Sequence, residues 1–147
     1  MIYVLLLVVP FIIDRITKLL ALAYLCQPIM LMPGITLTLV KNRGISWGLL
    51  CSNNSFLFII TTIAICIITA LLLIITYKTW LESKAIIGNL LVISGAVANI
   101  IDRMWYAGVI DFIELSYKEY AFPVFNVADC AIVVGAAFMF YYYWKYE

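Results

Sequence analysis

The chain has 147 residues, 67% of them hydrophobic and only 12% charged, and a mean hydropathy of +1.13. A soluble domain is roughly half apolar and about a quarter charged, so this chain belongs in lipid. Its net charge of +1 gives no basic field for nucleic acid. The absence of histidine excludes Ser-His-Asp and Cys-His catalysis and His-based zinc sites, leaving chemistry to Asp, Glu, Lys, Ser or Cys.

Four apolar stretches are long enough to cross a bilayer: 2–25, 56–77, 85–106 and 125–144. The first is interrupted by Asp14, Arg15 and Lys18. It lacks the basic n-region of a signal peptide and carries its charges after the apolar run, so a retained helix is expected. Asp14 and Lys18 are four apart in the favourable acid-before-base order and should neutralise each other inside a bundle. Arg15, about 100° around the helix, is expected to snorkel or to face a loop.

In the loop 27–54, Ile35-Thr36-Leu37-Thr38-Leu39 alternates apolar and Thr residues between Pro33-Gly34 and Asn42, which predicts a strand. Cys26 and Cys51 flank this loop and can pair if it faces an oxidising compartment. Asn42-Arg43-Gly44-Ile45-Ser46-Trp47-Gly48 follows, with two glycines for tight turns and a tryptophan suited to an interface. A Ser46 nucleophile with Lys41 or Lys18 as base has no supporting spacing.

The second span is free of charge over 22 residues, roughly 33 Å of helix. Cys66 within it, like Cys130 later, reads as a small buried hydrophobe. A short turn, 78–84, holds two lysines. The third span embeds Asn89, Asn99, Asp102 and Arg103. Asn99 and Arg103, four apart, share a face; Arg103 can hold a substrate carbonyl, orient a carboxylate, or join a structural Asp–Arg cluster. The loop 107–123 contains Asp111, Glu114, Lys118 and Glu119, and the fourth span carries one charge, Asp129, before an aromatic belt at Tyr141-Tyr142-Tyr143-Trp144. Four spans put both termini on one side and both long loops on the other. Lysine and arginine counts do not decide which side is which.

Asp111 and Asp129 therefore share a membrane face, close to the ends of apolar segments where a carboxylate is costly and a functional role is the default hypothesis. Asn126, three residues before Asp129, shares its helix face. If the two aspartates meet, one can stay ionised while the other keeps a proton, the acid/base pair open to a chain without histidine. The alternative is that Asp129 is a helix cap and Asp111 a loop charge.

Four motifs in order resemble the lipoprotein signal peptidase (signal peptidase II) family over nearly the whole chain. Asp14-Arg15-Ile16-Thr17-Lys18 resembles its D-x-x-[ST]-K element, and Asn42 to Gly48 its N-x-G-x-[AS]-F-G segment with Trp47 in place of Phe. Asn99-Ile100-Ile101-Asp102-Arg103 with Gly108-Val109-Ile110-Asp111-Phe112 resembles the N-x-x-D-R…G-x-V-x-D-F block, with Ala98 where Gly is frequent and a shortened Gly-to-Asp spacing. Phe125-Asn126-Val127-Ala128-Asp129 resembles the closing F-N-x-A-D.

The resemblance implies an all-α membrane protein, a single peptidase domain over 1–147 with four transmembrane helices and a small extracytoplasmic β-rich cradle. It implies an aspartyl endopeptidase of the bacterial inner membrane, with both termini cytoplasmic, that cuts prolipoprotein signal peptides before a diacylglyceryl-modified cysteine. Asp111 and Asp129 would be the catalytic dyad, Asn42, Asn99, Arg103 and Asn126 would line the substrate site, and Asp14 and Lys18 would be a structural ion pair. No cofactor or metal is expected, and a monomer among membrane lipid is. The rival classes are a proton-coupled transporter, which usually shows internal repeats not seen here, and a non-catalytic membrane scaffold.

Overall fold

The computed structural model describes residues 1–44 and 55–146. Ser46, Trp47, Gly48 and Cys51 lie outside them, and with them the Ser46 alternative and the Cys26–Cys51 pairing. Among the described residues the elements run α1 (Ile2–Tyr24), β1 (Ile29–Met32), β2 (Ile35–Asn42), α2 (Ser55–Leu81), α3 (Ile87–Tyr106), β3 (Val109–Tyr117), β4 (Tyr120–Ala121) and α4 (Val127–Tyr146). Helices α2, α3 and α4 are long and apolar enough to cross a membrane. Helix α1 is 23 residues long but carries Asp14, Arg15 and Lys18.

Helix α3 is the central post, packed by α1, α2 and α4. Its contact with α4 is close because glycines meet there: a Cβ on Gly88 would come within 2.5 Å of the Gly135 carbonyl oxygen, and one on Gly95 would strike that of Ala128. Small residues at a helix crossing let backbones approach, as in other lipid-embedded helix pairs. Helix α2 is patterned inside out. It buries Thr61, Thr69 and Thr76 and turns isoleucines and leucines outward. The threonine hydroxyls donate to carbonyls within the helix, Thr76 Oγ1 to Leu72 O at 2.6 Å and Thr69 Oγ1 to Ile65 O at 2.8 Å. Thr76 Oγ1 also accepts from buried Asn89 Nδ2 on α3 at 3.1 Å. Against hydrocarbon, apolar side chains gain nothing by turning inward, and polar ones do.

The expected single strand 35–39 is longer and has company. Strands β1 to β4 form one antiparallel sheet in sequence order, so the fold is mostly helical with a small β-rich element, as expected, drawn from both long inter-helix segments and not from the first alone. The segment expected to be loop at 107–123 contributes β3, whose run Val-Ile-Asp-Phe-Ile-Glu-Leu-Ser-Tyr favours a pleated, half-buried surface. Pairing of β2 with β3 joins the segment after α1 to the segment after α3 at one end of the bundle. There Ala21 and Leu25 at the close of α1 pack with Phe112 of β3, bordered by Leu37, Ile113 and Val127.

Three smaller expectations need correction. Cys66 and Cys130 are exposed free thiols on the outer flanks of α2 and α4; an apolar run in a lipid-facing helix does not imply burial. Arg15 neither snorkels nor faces a loop but pairs with Asp102 at 2.6 Å. Helix α2 continues past 77 to Leu81, because a lysine at Lys78 suits a last helical turn and does not end it.

Candidate active site

Helix α4 starts at Val127, and the residues around that start are tied together reciprocally. Asn126 Oδ1 accepts from the Asp129 N–H at 2.9 Å, and Asp129 Oδ2 accepts from the Asn126 N–H at 3.3 Å. This is capping-box geometry, with Asn126 as N-cap and Asp129 at the third helical position. The next free amide, Ala128 N–H, donates to Asp14 Oδ1 of α1 at 2.8 Å. Asp129 is thus part of a helix cap, yet its other oxygen, Oδ1, accepts from Asn99 Nδ2 of α3 at 2.9 Å. The cap reading and the site reading describe one side chain.

Asp111 lies on β3 opposite Val40 of β2. Asn42 is two residues beyond Val40, on the same sheet face and diagonal to Asp111. Its Nδ2 donates to Asp111 Oδ2 at 2.9 Å, while its Oδ1 accepts from Gly44 N–H at 2.9 Å, which holds the amide in that orientation. Asn126 Nδ2 donates to the other oxygen, Asp111 Oδ1, at 2.6 Å. Asp111 is 1% exposed. Burial lifts its carboxyl to about 7, with the nearby Asp129 charge pushing the same way, against the pull of the Asn42 and Asn126 hydrogen bonds and of Lys18.

Asn126 therefore touches both carboxyl groups, and Asn99 joins them from α3: Asn126 Nδ2 lies 3.3 Å from Asn99 Oδ1. That carbonyl oxygen also accepts from Lys18 Nζ at 2.8 Å. Lys18 pairs at 2.8 Å with Asp14 and at 2.8 Å with Asp102, all three side chains being fully buried. Asp102 is further held by Arg15 and accepts from Ile110 N–H at 3.2 Å. The expected Asp14–Lys18 pair is thus half of a neutral quartet. By facing the carbonyl end of Asn99, Lys18 leaves its amide NH2 to point at Asp129.

Asn42, Asn99, Arg103, Asp111 and Asp129 line one cavity of about 180 Å³, closed on its apolar side by Ile65, Ala96 and Ile132. Asn126, with no exposed surface, supports both aspartates from behind. Asp14 and Lys18 stand beneath Asn99, away from the cavity lining. Arg103 donates Nη2 to the Gly44 carbonyl and lies over the Phe58 ring, while its Nη1 is buried without a hydrogen-bond partner among the described residues. It does not pair with Asp102, which turns to α1. Sequence reasoning missed Arg15 and Asp102 as a cross-helix pair; three charges on one span and two on another were the available signal, since intramembrane charges seek each other.

Comparison with known proteins agrees with this architecture. The sequence pattern of the family described as signal peptidase (SPase) II matches residues 6–145. The chain is 35% identical over its whole length to the lipoprotein signal peptidase of Anoxybacillus flavithermus, covering 88% of that protein. It is 38% identical over 90% of its length to that of Clostridium acetobutylicum, covering 86%. A bacterial membrane enzyme solved by the in meso method at 2.3 Å resolution superposes with a TM-score of 0.77 at 26% identity, covering 97% of this chain and 87% of that one.

Three apolar helices, a closing sheet and the structural match define a multi-pass membrane protein. Within that class the chain belongs to the signal peptidase II family, and it is a peptidase.

Proposed function

We propose that this chain is an intramembrane aspartyl endopeptidase that removes signal peptides from prolipoproteins, cutting the bond before a lipid-modified cysteine. The observation that carries the reading is the joint seating of Asp111 and Asp129. Asn126 and Asn99 hold the two carboxyl groups from separate elements at one small cavity. Asp111 carries the proton and Asp129 acts as base. Asp129 takes a proton from a water molecule as the oxygen attacks the scissile carbonyl carbon, and Asp111 gives its proton to the carbonyl oxygen. As the tetrahedral intermediate collapses, its hydroxyl returns a proton to Asp111 and Asp129 passes the proton taken from water to the departing nitrogen, so that the C–N bond breaks and the new amine and carboxyl ends are released. Arg103 Nη1, buried and unpartnered among the described residues, is the donor available to a substrate carbonyl.

In this reading α1 is a fourth span. Its charges are neutralised inside the bundle, which lowers the cost of placing them in hydrocarbon. The sheet then lies on the outer face of the bacterial inner membrane and both termini lie in the cytoplasm. The protein works as a monomeric single domain with no metal or organic cofactor.

The test is cleavage of a lipidated prolipoprotein peptide in detergent by the wild type, Asp111→Asn and Asp129→Asn. Each substitution is expected to lower kcat by at least about a thousandfold, on the scale of losing one member of an acid/base pair, with the helical circular dichroism retained. Wild-type rates in either folded variant would rule out the dyad. Equal cleavage of an unlipidated peptide would rule out the substrate class.

A further inference from the structure

A second hollow adjoins the dyad on the side away from α2. It is a groove of about 470 Å³ between the sheet and the outer flank of α4, walled by Leu115, Phe122, Phe125, Val133 and Val134, with Asp129 at its inner end. Asp129 and Ile132 line both this groove and the dyad cavity, so the two meet at the carboxylate. We propose that this groove receives an acyl chain of the substrate's lipidated cysteine, while the peptide backbone occupies the dyad cavity.

The argument is one of polarity, support and access. Apart from Asp129 and Cys130 the lining is apolar. A non-helical peptide placed there would leave its N–H and C=O groups without partners, at a cost of several kcal/mol each in a hydrocarbon setting, whereas an alkyl chain needs none. The roof of the groove is preformed. The 122–125 segment is fastened to β3 by Phe122 N–H to Leu115 O at 2.7 Å and Phe125 N–H to Ile113 O at 3.0 Å, and by Phe112 and Ile113 N–H to Phe125 O at 3.0 and 2.9 Å. The open side is the flank of α4, where Val133 is 62% and Val134 48% exposed among other outward apolar residues. A chain anchored in the bilayer enters from that flank without crossing water. Its attached cysteine then lies beside Asp129, where a bond preceding that cysteine must be cut. The inference rests on the cleavage of lipid-bearing substrates proposed above.

The experiment uses the full chain in detergent and prolipoprotein peptides whose cysteine carries either palmitoyl or hexanoyl chains. A hexanoyl chain reaches fewer of the groove's wall residues than a palmitoyl chain and forgoes their packing contacts, so the wild type is expected to favour the palmitoyl peptide in kcat/KM. Val133→Trp, which fills the groove from a lipid-facing position, is expected to reduce that preference about tenfold. In parallel, Asp111→Asn is irradiated with a palmitoyl peptide bearing a terminal diazirine, and crosslinks are expected at Val133, Val134 or the 122–125 segment. Crosslinks confined to α2, equal crosslinking of these positions by a diazirine phospholipid that the peptide does not displace, or an unchanged chain-length preference in folded Val133→Trp would overturn the groove assignment alone. Failure of the wild type to cleave any lipidated peptide would overturn the proposed function, and the groove assignment with it.

Discussion

At the scale of single residues, Asp111 is the group whose surroundings have a consequence that pH can read. In the unfolded chain its carboxyl titrates at about 4; buried on β3 it titrates at about 7. Between those values the folded state holds a proton that the unfolded state has released. Stability from this group is therefore fully present below about pH 4 and is lost as pH rises through about 7. Asp111→Asn removes the titration. It also sets an amide NH2 against one of the two donors, Asn42 Nδ2 or Asn126 Nδ2, where a protonated carboxyl can still accept from both while its hydroxyl points elsewhere. The variant should be less stable than the wild type by about 1–3 kcal/mol at low pH, the cost of a buried group left unpaired. That deficit should shrink as pH rises from about 4 to about 8. Thermal unfolding of both proteins across this range checks it, and a deficit independent of pH would show that Asp111 ionises as it does in water. Wild-type cleavage should decline on the alkaline side of about pH 7, as Asp111 loses the proton it is proposed to donate.

At the scale of elements, the α3–α4 crossing sets where Asn99 stands relative to Asp129. Gly95 lies one turn before Asn99 and faces the Ala128 carbonyl, next to Asp129; Gly88 lies about three turns from Asn99 and faces Gly135. A methyl group at either place forces the helices apart, and overpacking of this kind costs about 1–3 kcal/mol. Gly95→Ala and Gly88→Ala should therefore lower the melting temperature to a similar degree. Only Gly95→Ala should also lower kcat, by about tenfold or more, because it displaces the Asn99–Asp129 hydrogen bond at 2.9 Å. Equal kcat losses would place the sensitivity in general stability and not in local geometry. This contrast also marks how far sequence reading could reach. Asn126 with Asp129, Asp14 with Lys18, and Asn99 with Arg103 are three or four residues apart, so helical geometry alone suggested that each pair shares a face. Asn42 with Asp111, and Arg15 with Asp102, depend on strand register and on which helix faces which. Those are settled by long-range packing, to which no local periodicity points. Strands β1 and β4 were missed for a similar reason, being short edge segments whose pairing comes from β2 and β3.

At the scale of the whole molecule, the surface carries the argument. Helices α2 and α4 expose Ile59, Ile63, Ile67, Leu71, Val133, Phe138 and Phe140, far more apolar area than water tolerates on one protein, while the buried interior holds Asp14, Lys18, Asp102, Asp111 and Asn126. Such a molecule has two ends and one belt. One end is the sheet with the dyad beneath it; the other is the 82–86 turn together with the close of α4, where Tyr141, Tyr143 and Trp144 are exposed at interface depth. Basic residues occur at both ends, with Lys78, Lys84 and Lys145 at one and Lys41, Arg43 and Lys118 at the other, so charge does not orient it. The proposed function supplies an expectation: an exported prolipoprotein presents its cleavage site on the far side of the membrane, so under that proposal the sheet end is expected to face out. With Cys26, Cys51, Cys66 and Cys130 replaced by serine, Glu119→Cys in the β3–β4 turn should react in intact cells with a membrane-impermeant maleimide. Glu82→Cys, 60% exposed at the side chain in the other turn, should react only with a permeant reagent or after lysis. Impermeant labelling of Cys at position 82 with position 119 protected would invert the molecule and set the dyad on the cytoplasmic side, where an exported signal peptide's cleavage site does not reach.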